Sequence, residues 1–209
     1  MLPVRVFFRK KGGAVYISHL DLQRAVFRAI NRSGVKAVYT EGFNPHIKIA
    51  FAAPLSVFQK SEYEIFDFYA EDDMSCEEIT SRLASAFPEG LEIIEAAMPI
   101  KKQKELALAD YEIVFETPLT AAEMEKLLSG AITVIKKSKK GDHPEDISHM
   151  IKSKHFVQIG NNVKACLRCS CGSGEHLNVR YIADFLGDNI TGYDITRKSL
   201  LDAEGNDLR

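Results

Sequence analysis

The chain has 209 residues, 45% of them apolar, and its 27 Lys/Arg and 29 Asp/Glu leave a net charge of −2. That composition excludes a disordered or fibrous polypeptide and suits one large folded domain or two small ones. The longest apolar run, residues 49–58, contains Pro54 and Ser56 and is too short to span a bilayer, and the first eleven residues lack the apolar core of a secretory signal; the expectation is a cytoplasmic protein with no membrane partner.

In chain order, Pro3 to Arg9 alternates as a strand, and Lys10 to Gly13 is a turn with a short extension over Ala14 to Ile17. Ser18 caps a helix, with Asp21 three residues on in a capping-box position; Leu22, Val26, Ala29 and Ile30 form its buried stripe and Gly34 ends it. Lys36 to Thr40 reads as a strand, followed by a loop over Glu41 to His46 and an apolar strand near Ile47 to Ala52. Glu62 to Ala70 is a strand, Ser75 to Phe87 a helix, and Leu91 to Met98 a closing strand. After a lysine-rich linker over residues 99–109 the same grammar returns. Asp110 to Glu116 is a strand, Thr120 to Ser129 a helix boxed by Glu123, and Ile132 to Lys136 a strand that runs into a basic turn over residues 136–141. Lys154 to Ile159 and Val163 to Cys171 pair as a hairpin, Leu177 to Leu186 is a helix, and Ile190 to Arg197 is a last strand. The fold class expected is therefore α+β, with two ferredoxin-like (βαββαβ) halves and antiparallel sheets: a domain over residues 1–99, a second over 110–201, and a frayed tail at 202–209.

Charge is sorted along this order. Residues 1–48 hold nine Lys/Arg against two acids, a net of +7, and residues 49–99 hold two basic and eleven acidic residues, a net of −9. Either the first block presents a cationic face to a polyanion, or the two blocks neutralise each other across the fold. Arg24, Arg28 and Arg32 recur every four residues along one side of the first helix, where three guanidinium groups can track phosphates. In the following loop Glu41, Gly42 and Pro45 shape the backbone. Phe43 is placed to stack on a base, Asn44 and His46 to meet its edge or the sugar, and Lys48 to add a further cation. His19, in the first helical turn, is with His46 the candidate acid–base pair.

Other signals are weaker. Gly172-Ser173-Gly174 is a short cradle that lacks the P-loop ending. In a strand, Cys166 points away from Cys169 and Cys171, so no metal site and no cofactor is expected. Asp67 is out of phase with Glu62 and Glu64, which argues against a catalytic carboxylate pair.

The segments Ser18-His19-Leu20-Asp21-Leu22, Tyr39 through Ile49, Pro54-Leu55 and Ser61 to Asp67 together resemble the radical-SAM-associated domain of unknown function. The resemblance is specific over residues 1 to about 70 and looser afterwards, where Gly172 to Gly174, Leu177 and Arg197 carry it. The family commonly has a Gly and an acid where Phe58 and Lys60 stand, and an Asn where His176 stands. In that family the domain follows a cobalamin-binding/radical-SAM protein in one chain or is encoded as its separate partner. The resemblance thus implies an accessory to such a protein, and the chain itself lacks the CxxxCxxC spacing of a radical-SAM cluster. The basic face and the fold add an expected RNA partner. Two other functions remain open: an RNA-processing or RNA-modifying enzyme built on His19 and His46, and a protein scaffold docking a basic partner through residues 49–99.

Overall fold

The computed structural model describes residues 1–71, 74–136 and 141–209. The chain forms two units, Met1–Leu106 with Asn206–Arg209, and Ala107–Gly205.

The first unit runs β1 (Leu2–Lys10), α1 (His19–Ser33), β2 (Ala50–Phe51), β3 (Gln59–Ala70), α2 (Cys76–Ala86) and β4 (Leu91–Ala97). Its strands pair antiparallel in the order β4-β1-β3-β2, the arrangement of a split βαβ unit. Ser18 starts α1 by accepting the Asp21 N–H at 3.1 Å, and Gly34 ends it at φ 71. Leu22, Val26 and Ile30 then meet Val4, Val6, Phe8, Phe66 and Phe68 in one buried core with Ile79 and Leu83 of α2. The strands expected over residues 36–40 and 47–52 are mostly absent. Single bridges, Ala37 to Ala70 and Tyr39 to Ile47, replace them, and only Ala50–Phe51 pairs as a strand. The loop between them closes early through the Thr40 N–H on the His46 carbonyl at 2.8 Å, which turns this chain away from the β3 ladder.

The tail expected to fray is ordered on this unit. β1 buries both faces: Arg5 and Phe7 lie opposite the helix-facing residues and are fully covered. Arg5 stands across from Asp67 and donates to both of its carboxylate oxygens, at 2.8 and 2.7 Å, and to the Leu208 carbonyl at 3.2 Å. Leu208 is buried, and Arg209 lies over the Phe7 ring and pairs with Glu95. Apolar cover and a cation with waiting partners outweigh the polar composition that suggested disorder.

Phe58 has φ 68, a left-handed conformation natural to glycine. Here the Phe58 N–H donates to the Val15 carbonyl at 2.8 Å and the exposed ring meets Tyr16 edge-on.

The second unit runs β5 (Leu108–Glu116), α3 (Ala121–Leu127), β6 (Thr133–Lys136), β7 (His143–Asp146), β8 (Ile151–Ile159), β9 (Asn162–Ser170), α4 (Arg180–Leu186) and β10 (Gly192–Leu201). Its main sheet is antiparallel in the order β10-β5-β9-β8, so it repeats the first unit's arrangement. The Thr120–Glu123 capping box forms as expected. The strand expected at 132–136 is displaced from the sheet and pairs with β7 in a separate ribbon. The basic turn expected after it covers residues 137–140, which lie outside the described residues. The last helix starts at Arg180, not Leu177, because the Leu177 N–H is taken by the Ser170 carbonyl at 3.0 Å and Cys171 bridges His176. Cys169 and Cys171 are buried, and burial pushes the Cys169 thiol well above its ordinary range. Both units are α+β with antiparallel sheets. Among the described residues no helix is long and apolar enough to cross a membrane.

Candidate functional site

Much of the N-terminal positive charge is neutralised by the acidic block that follows it. Arg5 pairs with Asp67, Arg9 and Lys11 with Glu92, and Lys36 with Glu71. The residues of α1 and the next loop escape that pairing. Arg24 meets only Asp21 of its own helix, at 3.2 Å, and Arg28 and Lys48 have no ionic partner among the described residues. What remains is a local cationic surface on one side of α1.

That surface borders a groove of about 320 Å³. Leu20, Phe27, Ile47, Ile49 and Phe51 give it an apolar floor, and Gln23, Arg24, Arg28 and His46 are its polar groups. The helical contributors fall at i, i+3, i+4, i+7 and i+8, a single stripe of α1 beside the core stripe. Gln23, Leu20 and Phe27 were therefore legible in the sequence as a second face. Ile49 and Phe51 had no such signal, since their side of the chain is set by the bridges to Tyr39 and β3.

The loop partners of the groove are well determined. The Thr40 hydroxyl accepts the His46 N–H at 3.1 Å, and His46 Nδ1 lies 3.2 Å from both Thr40 Oγ1 and the Asn44 carbonyl. Asn44 thus acts here through its backbone. Phe43 is 111% exposed relative to a reference chain, so its ring anchors nothing beneath the loop. Glu41, Gly42, Asn44 and Pro45 are exposed beside it, and Gly42 takes φ 119.

Two expected members fall elsewhere. Arg32 donates to the Ala86 carbonyl at 2.8 Å and borders a different cleft with Arg82 and Ser85, so it ties α1 to α2. The cause is helical drift: a four-residue step overshoots a full turn by about 40°, so the two steps from Arg24 to Arg32 carry the side chain about 80° round the axis, toward α2. Arg32→Ala should lower stability by about 1 kcal/mol, read by urea denaturation, and leave ligand binding at the groove unchanged.

His19 is not among the residues that line the groove. Its ring sits edge-on to Phe51 at 5.3 Å, and Gln23 Nε2 lies 3.1 Å from its Nε2. Burial holds its pKa below the ordinary value, with buried Glu64 acting in the opposite direction and buried Lys10 reinforcing the fall. The two imidazoles therefore have separate sets of partners. Burial also lowers the pKa of His176, helped by Arg197 and Lys136. A group whose pKa is lower in the folded state binds its proton first in the unfolded chain, so stability should be full at neutral pH and decline as pH falls below about 6.5. Thermal melts between pH 7.5 and 5 read this, and His176→Asn should flatten the decline.

Among the described residues no three His, Cys, Asp or Glu side chains converge as metal ligands.

This groove-bearing α+β chain belongs to the family described as "Uncharacterized protein conserved in bacteria (DUF2344)", whose model matches residues 4–180. No curated protein matches it. Among solved structures, one chain of a Cbf5-Nop10-Gar1 complex is similar at 10% identity and a TM-score of 0.48, over 93% of this chain and 48% of that one. The present chain thus spans about half the length of that relative. A chain named as a glycine cleavage system transcriptional repressor aligns over 93% of this chain and 97% of its own, at 9% identity and a TM-score of 0.25.

Proposed function

We propose that this protein is a non-catalytic accessory module that holds single-stranded RNA, or a ribosome-related RNA substrate, for a separate radical-SAM/cobalamin-binding protein. The observation that carries the RNA reading is the groove. An apolar floor lies beside Arg24 and Arg28, the latter without an ionic partner among the described residues, and the loop that supplies His46 also carries the fully exposed Phe43 ring. Unstacked bases need an apolar or aromatic surface, and their phosphates need cations within a nucleotide's reach. A duplex would present its bases only by their edges and would leave the apolar floor unused.

The radical-SAM partner rests on the sequence resemblance over residues 1 to about 70. The scaffold alternative has less behind it: Asp67, Glu71, Glu78, Glu92 and Glu95 of the acidic block already pair within the unit. The test is fluorescence anisotropy with a labelled single-stranded RNA, titrated with this chain across a range of salt concentrations. Binding that weakens with salt and with removal of Arg24 and Arg28 supports the reading. An absence of binding at low salt removes it. For the partner, co-purification with a radical-SAM/cobalamin-binding protein of the same organism is the direct measurement.

A further inference from the structure

The groove holds two side chains whose hydrogen-bonding direction is fixed by their neighbours. Gln23 Nε2 faces His19 Nε2 at 3.1 Å. An amide nitrogen only donates, so with Gln23 in this orientation the imidazole nitrogen there supplies a lone pair and the ring is neutral, with its proton on Nδ1, which is buried without a hydrogen-bond partner among the described residues. The lowered pKa of His19 agrees with this. The Gln23 amide is thereby held by its nitrogen, and its carbonyl oxygen has no partner among the described residues. His46 is fixed in the same way. Its Nδ1 lies 3.2 Å from the Asn44 carbonyl, which only accepts, and from the Thr40 hydroxyl, which can accept as well; the tautomer that satisfies both carries its proton on Nδ1 and leaves Nε2 with a lone pair. Both polar side chains on the uncharged part of the groove therefore offer an acceptor, Gln23 keeping its second amide N–H as well, and the charged donors come from Arg24 and Arg28.

The four RNA bases differ in what they bring to such a site. On the Watson–Crick edge adenine, cytosine and uracil each have a single donor group. Guanine has two side by side, N1–H and the N2 amine, next to the O6 acceptor. Two acceptors with a guanidinium donor match guanine and leave each of the others with an unmet group. Burying such a group against the apolar floor is unfavourable, which turns the mismatch into discrimination.

We infer that the groove selects an unstacked guanine, with Gln23 and His46 reading its two donors, a rim arginine meeting O6, and His19 as the positioning residue that orients the Gln23 amide. This rests on the RNA reading above and adds the identity of the base.

The test uses the full chain and nine-nucleotide oligouridylates with a single central G, inosine, A or C, measured by anisotropy at fixed salt. G should bind about tenfold or more tightly than A or C, in line with a well-formed two-bond base contact. Inosine lacks the N2 amine and should fall between. Gln23→Leu, at an exposed position that leaves the fold intact by circular dichroism, should bring G and A together while the dependence on salt is kept. His19→Phe should shrink the preference without removing salt-dependent binding. Equal affinity of the wild-type chain for all four oligonucleotides, with binding still salt-dependent, overturns the guanine inference and leaves the RNA reading in place. Binding to none of them overturns both.

Discussion

Arg24→Ala combined with Arg28→Ala should weaken single-stranded RNA binding by about 30- to 100-fold at low salt. Each lost guanidinium–phosphate contact removes a charge-assisted, two-oxygen hydrogen bond, and two contacts at about 1–1.4 kcal/mol each give that range. The same loss has a second signature. Each phosphate contact releases bound counterions, so the slope of log affinity against log salt should become shallower by about 0.7 per arginine on a single strand, about 1.4 for the pair. The shares are unequal. Arg24 already donates to Asp21 at 3.2 Å, whereas Arg28 has no ionic partner to give up among the described residues, so Arg28→Ala alone should account for more than half of the effect. Both side chains are exposed, and stability should change by no more than about 0.5 kcal/mol. Anisotropy titrations at four or more salt concentrations read affinity and slope together. An unchanged slope in the double variant would mean that phosphates bind elsewhere.

The largest effect on folding is expected at Asp67. Its carboxylate takes two hydrogen bonds from Arg5, whose side chain is 1% exposed. Asp67→Ala leaves that guanidinium buried with only the Leu208 carbonyl, and a buried charge without its counter-ion destabilises by about 3–5 kcal/mol. Replacing both members with apolar residues, Arg5→Met with Asp67→Leu, removes the uncompensated charge and should recover most of the loss. Urea denaturation of the three variants separates the two effects. A loss under about 1 kcal/mol in Asp67→Ala would mean that water reaches the guanidinium. The double variant should still bind RNA, because this pair lies on the sheet face opposite the helices and the groove lies along α1.

Much of the architecture could be read from local chemistry. Ser18 and Thr120 start helices where their side-chain oxygens predict, and Gly34 ends α1 in the left-handed conformation that glycine permits. The α+β order and the antiparallel pairing follow from strand alternation and helical spacing. Elements were misread where a competing partner lay far away in sequence. The strand at 133–136 had the right composition for the main sheet, and pairing with His143–Asp146 took it out. The tail had a polar composition, and the Arg5–Leu208 contact across more than two hundred residues ordered it.

The candidate site divides along the same line. Sequence by itself determined the cationic stripe of α1 and the aromatic-bearing loop, because spacing along a helix and a Gly-Phe-Asn-Pro turn are local properties. Tertiary structure decided which charges survive. Arg5, Arg9, Lys11 and Lys36 met carboxylates, Arg32 met the Ala86 carbonyl, and Arg28 and Lys48 met no acid among the described residues. It also supplied the apolar floor that turns a charged surface into a groove, since Ile49 and Phe51 approach Leu20 and Phe27 only after β2 has paired with β3. Charge and hydrophobicity are fixed residue by residue, but neutralisation and burial depend on which groups the fold brings within contact distance.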